Sequence, residues 1–89
     1  MTLAERFSDA QARVKTLNSA PSTDQLLELY ALYKQADAGD VAGDRPSVLD
    51  VVGRAKHDAW AKRKGVSRDE AMRMYVELVR KLKAQEVTA

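Results

Sequence analysis

Three times this chain sets a hydroxyl residue three positions ahead of a glutamate or glutamine and then begins an apolar run: Thr2-Leu3-Ala4-Glu5, Ser22-Thr23-Asp24-Gln25 and Ser67-Arg68-Asp69-Glu70. Such a box pairs two of the amide donors that every helix start leaves open. The hydroxyl takes the N–H three residues on, and the carboxylate or amide reaches back to the first. Three helix starts within 89 residues leave little chain for any other structure. The apolar spacing agrees. Leu3, Phe7, Ala10, Val14 and Leu17 recur at steps of four and three, which predicts a first helix from about Leu3 to Leu17. Asn18-Ser19-Ala20-Pro21 stops it.

The second helix carries Leu26, Leu27, Leu29, Tyr30, Leu32, Tyr33 and Ala36, apolar around more than half its circumference. Such a helix is deeply packed or offers an apolar groove to something else. Gly39 is the expected left-handed terminator. From Asp40 to Pro46 the chain loses periodicity. Asp37, Asp40 and Asp44 lack the alternate spacing and closing glutamate of a calcium loop, so caps and turns are expected of them. Ser47 or Asp50 is placed to cap a third helix that runs to about Arg63. Its apolar residues are few: Val51, Val52, Ala55, Ala59 and Trp60. Its polar side is basic, with Arg54, Lys56, His57, Lys62, Arg63 and Lys64 against Asp58 alone. Gly65 closes it. Ala71, Met74/Tyr75, Leu78/Val79 and Leu82 mark the fourth helix, with fraying expected from Glu86 to Ala89. No stretch has the character of a strand. The expectation is an all-α protein, one domain spanning 1–89, folded as a four-helix bundle. The long 39–47 connection lets helices 2 and 3 avoid a simple hairpin.

Composition narrows the function classes. A formal net charge of +2 is too small to suggest bulk nucleic-acid binding. The chain has no cysteine and one histidine, which excludes disulfides, thiolate metal sites and thiol nucleophiles and shows no nucleophile–base pair. No apolar run approaches the roughly 20 residues of a membrane-spanning helix, and the N-terminus lacks a signal-peptide pattern. The expectation is a cytoplasmic, non-enzymatic monomer with no cofactor and no stable membrane insertion.

Tyr30, Tyr33 and Lys34 stand three and four apart, on one side of the second helix. Two readings are open from the residues alone. The tyrosines belong to the core with wet hydroxyls and the lysine is solvated, or the three grip a flat ring and a phosphate.

The longer pattern is Tyr30-Ala31-Leu32-Tyr33-Lys34-Gln35-Ala36, Gly39-Asp40, Arg45-Pro46, Gly53-Arg54-Ala55-Lys56, Asp58-Ala59-Trp60, Lys64-Gly65 and Ala71-Met72 with Tyr75. It resembles the acyl-CoA-binding protein family over nearly the whole chain, from Phe7 to about Leu82. The resemblance implies an up-down-down-up bundle with a long overhand connection between helices 2 and 3. It also implies reversible binding, buffering and intracellular transport of medium- and long-chain acyl-CoA esters. By motif position, Tyr30, Lys34 and Lys56 would surround the ligand's 3′-phosphate. Tyr75 would stack on the adenine, Tyr33 would lie near the ligand's polar part, and Lys15 would approach the phosphates. Leu26 and Leu27, with helix-3 neighbours, would floor the acyl groove.

This sequence departs from the family pattern in places. His57 stands where many members carry a tryptophan that helps shield the acyl chain. Gln11 stands where a small residue is usual, and Val51-Val52 replaces an aromatic-plus-polar pair. His57 is expected to be an exposed helix residue, and Trp60, Met72 and Met74 to be packing residues. The alternative to a carrier is a helical interaction module that docks an acidic partner on its basic third helix.

Overall fold

The computed structural model describes residues 1–87. Four helices follow in order: α1 (Leu3–Val14), α2 (Thr23–Ala38), α3 (Val51–Ala61) and α4 (Arg68–Val87). There is no strand among the described residues.

Two of the three boxes close as the sequence implies. Thr2 accepts the Glu5 amide while Glu5 takes the Thr2 amide, and Ser22 and Gln25 do the same. At the third, Ser67 Oγ accepts the Glu70 amide at 3.0 Å, but the Glu70 carboxylate turns to Arg73. Asp50, not Ser47, caps α3, through the Gly53 amide at 2.9 Å.

Two helices end earlier than expected. After Val14 and after Ala61 the backbone tightens into three-residue turns. Thr16 donates to Arg13, Arg63 to Trp60 and Lys64 to Ala61. Such tightening is a common way to satisfy the last carbonyls of a helix. Glu86, expected to fray, lies within α4; its carboxylate accepts the Asn18 amide and pairs with Lys83 at 3.2 Å. That amide holds the Glu86 carboxyl below the usual range. Thr88 and Ala89 lie outside the described residues.

The contacts between helices give the topology. Phe7 meets Tyr75 and Asn18 meets Glu86, so α1 and α4 run the same way. Tyr30 meets Lys56 and Lys34 meets Trp60, so α2 and α3 run the same way. Phe7 near the start of α1 lies against Tyr33 late in α2, which opposes the two pairs. The bundle is therefore up-down-down-up.

Phe7, Ala10, Leu29, Leu32, Ala36, Ala71, Tyr75, Val79 and Leu82 form the core, drawn from α1, α2 and α4. Met72 and Met74 pack against it, as expected. α3 contributes no buried residue and packs on α2 alone among the helices.

A polar clasp fixes the far ends of α2 and α3. Gln35 is fully buried, and its amide donates to Asp40 and to the Val66 carbonyl, both at 2.8 Å. The Asp40 carboxylate also takes the Gly65 amide at 2.8 Å. This is the turn role expected of that aspartate. Gly39 lets the chain leave α2 at φ 83° and ψ −150°, a region nearly closed to side-chain-bearing residues.

Candidate functional site

The chemistry-bearing residues gather where α2 and α3 run side by side. On α2, Tyr30 and Lys34 are four apart; on α3, Lys56 and Trp60 are four apart. Parallel helices with equal spacings bring the pairs face to face in crossed order. Lys56 Nζ stands 5.3 Å from the centre of the Tyr30 ring, and Lys34 Nζ 5.0 Å from that of Trp60. Both distances lie within cation–π range. Neither ammonium has a carboxylate partner among the described residues. The lysine and arginine ion pairs there use Arg45, Arg63, Arg73, Arg80 and Lys83 instead. Two cations thus share one seam and remain un-neutralised.

A trough of about 690 Å³ also lies between α2 and α3. Leu27, Ala31, Ala55 and Ala59 supply its apolar floor, and Asp24, Glu28, Asp58, Lys62 and Arg63 its charged rim. Arg63 donates to Glu28 across it at 3.3 Å. Small alanines on both walls keep the helices close while leaving space above them.

The remaining expected site residues divide. Tyr33 is 37% exposed and lies against Phe7, with ring centres 6.1 Å apart. Leu27 lines the trough; Leu26, 49% exposed, is not part of its wall. Lys15 is the exposed C-cap residue of α1. Eight residues beyond Phe7 at about 1.5 Å each, it is displaced by about 12 Å from the level of Tyr33. No described contact joins it to the lysine–aromatic cluster.

Tyr75, expected to stack on the adenine, sits within the core cluster. It is 5% exposed, edge-on to Phe7 at 5.1 Å, with its ring inside the core. Burial, with Tyr33 nearby, pushes its phenol above the ordinary range. The cause is visible in the stripe Ala71, Tyr75, Val79 and Leu82, whose members are all buried.

Trp60 is also not where size alone put it. It is half-buried and acts as a bracket, its Nε1–H donating to the Gly39 carbonyl at 2.9 Å. A helix packed on one neighbour has no interior in which to sink an indole. The signal available in the sequence was the matched four-residue spacing of Tyr30/Lys34 and Lys56/Trp60.

His57 is not the exposed residue expected. Its side chain is 19% exposed, and both ring nitrogens are buried without a hydrogen-bond partner. The flanks of that face are held to the overhand connection. Arg45 makes a two-point bond to Asp58 at 2.9 and 2.7 Å, and Arg54 donates to the Pro46 carbonyl at 3.3 Å. The Arg45 guanidinium holds the Asp58 carboxyl below its usual range.

The basic side of α3 is accordingly broken up. Arg54 is turned to the connection, Arg63 to Glu28 and Lys56 to Tyr30. No group of described residues has the makings of a metal site, and no described helix is long and apolar enough to cross a membrane.

Known proteins share this fold. The family described as "Acyl CoA binding protein" matches residues 4–79. Acyl-CoA-binding protein homolog 1 of Caenorhabditis elegans is 49% identical over 85 residues, covering 96% of both chains. The acyl-CoA-binding protein homolog of Manduca sexta is 48% identical over 83 residues, covering 92% of each. The crystal structure of Oryza sativa Acyl-CoA-Binding Protein 2 superposes with a TM-score of 0.95 at 36% identity, covering 99% of this chain and 98% of that one. The solution structure of the yeast acyl coenzyme A binding protein gives 0.72 at 41% identity, over 92% and 95%. With its helices, its overhand connection and nearly its whole length matched, this chain belongs to the acyl-CoA-binding protein family.

Proposed function

We propose that this protein binds medium- and long-chain acyl-CoA esters reversibly, without catalysis, as a single-domain cytoplasmic monomer that buffers and carries them. The observation that carries the reading is the pair of un-neutralised ammoniums, Lys34 and Lys56, on the two helices that also form an apolar-floored trough. An acyl-CoA ester is a polyanion joined to an apolar tail, and it needs both features on one surface. Lys34 and Lys56 take phosphate oxygens, and Tyr30 and Tyr33 flank the polar end. Leu27 and the alanines receive the tail. Lysine suits this role because its ammonium is a compact charge on a flexible stem.

The magnitudes require both halves of the ligand. A shielded charge-assisted hydrogen bond contributes about 1.5–3 kcal/mol. Burying about eight methylenes adds about 6 kcal/mol. Association costs about 4–15 kcal/mol in lost freedom, so neither half alone binds tightly. Calorimetric titration with palmitoyl-CoA, CoA and palmitate tests this. Tight one-to-one binding of the ester and weak binding of both fragments is the expected result. Equal affinity for CoA and its palmitoyl ester would overturn the reading.

A further inference from the structure

The Lys34 side chain is a flexible four-carbon stem, and no described carboxylate holds its end. It is held instead by Trp60, whose ring centre lies 5.0 Å from Nζ. The indole is itself fixed, because its N–H donates to the Gly39 carbonyl at the end of the helix that carries Lys34. One residue of α3 therefore reads the position of α2 through its edge and holds a cation of α2 on its face.

The kind of attraction matters. A carboxylate in that place would neutralise the ammonium and would have to be displaced by an incoming anion. An aromatic face attracts the cation through its ring quadrupole and leaves its charge intact. It also leaves donors free, since the ammonium has three N–H groups and no acceptor.

We infer that Trp60 is a positioning residue for ligand binding: it holds the Lys34 ammonium, still charged, over its ring on the α2–α3 seam, so that an anionic group of the ligand meets a cation already in place. This deepens the proposed acyl-CoA reading and rests on it. Lys56 over Tyr30 repeats the device with the helices exchanged.

The chain has one tryptophan, so ring-fluorinated tryptophans alter this position alone. Fluorine weakens the π face but keeps the ring's shape and its N–H, so packing and the bond to Gly39 stay. Affinity for palmitoyl-CoA is expected to fall stepwise as one, two and three fluorines are added, by about two- to fivefold in all. In a Lys34→Ala background the same series is expected to be flat, with thermal midpoints level throughout. A flat series with Lys34 present, a gain in affinity, or an equal fall without Lys34 overturns the inference while leaving acyl-CoA binding standing. Failure of the unmodified chain to bind palmitoyl-CoA overturns both.

Discussion

Tyr75 separates a core residue from a ligand residue, because substitutions there can be chosen to remove one role at a time. Its ring is 5% exposed and meets Phe7 edge-on at 5.1 Å. Truncating a buried aromatic to alanine costs about 3–5 kcal/mol, and losing an aromatic pair adds about 0.5–1.5 kcal/mol. A loss near 4 kcal/mol is a large fraction of the roughly 4–13 kcal/mol that 89 residues supply at about 0.05–0.15 kcal/mol each. For a domain of this size each kcal/mol moves the thermal midpoint by about 4–8 °C, so Tyr75→Ala is expected to melt about 16–32 °C lower. Tyr75→Phe keeps the ring and its edge contact, and is expected to cost under about 1.5 kcal/mol. Thermal unfolding followed by circular dichroism, with palmitoyl-CoA titrated at a temperature where each variant is folded, reads both roles. A midpoint within about 5 °C of the parent for Tyr75→Ala would refute the core placement and return the ring to the ligand.

Lys34→Ala and Lys56→Ala are each expected to weaken palmitoyl-CoA binding by about tenfold or more, the equivalent of one charge-assisted bond, with the melting curve unmoved; calorimetry of both variants decides it. Gly39→Ala is expected to cost about 1–3 kcal/mol through backbone strain alone, since the added Cβ meets only the Arg68 side chain, at 3.5 Å; urea unfolding measures it. Asp40 has its carboxyl held low, first by the Gly65 amide and then by Gln35. A depressed folded-state value means that its contribution is full above the ordinary carboxylate range and is lost as pH falls through the folded value. The gap in urea midpoint between the parent and Asp40→Asn is therefore expected to hold at neutral pH and to close below about pH 4.

Local rules made most of the helices legible. Thr2 with Glu5 and Ser22 with Gln25 are short-range devices whose geometry is set by a single turn, so the residues alone specify them. The long connection was visible as a loss of period between Asp40 and Pro46. Other features depend on what a helix packs against, which a period does not state. Trp60 read as core because an indole is large, yet α3 touches only α2 among the helices. His57 read as exposed because its neighbours are charged, yet Arg54 and Asp58 bind the overhand connection across that flank. Gln35 gave no sign of its role, because Val66 lies 31 residues away in sequence. The burial of Tyr75 was readable from its own stripe of Ala71, Val79 and Leu82.

The one-sided attachment of α3 has a consequence for motion. α1, α2 and α4 share the buried core, and α3 adds no buried side chain to it. Its amides can therefore exchange with solvent through an opening smaller than global unfolding. A ligand gripped by Lys34 on one helix and Lys56 on the other would tie that loose element down. Part of the binding energy would then go into ordering α3, and release of the cargo would run through its loosening. The carrier would keep a rigid frame of α1, α2 and α4 through both, and only α3 would cycle between slack and taut.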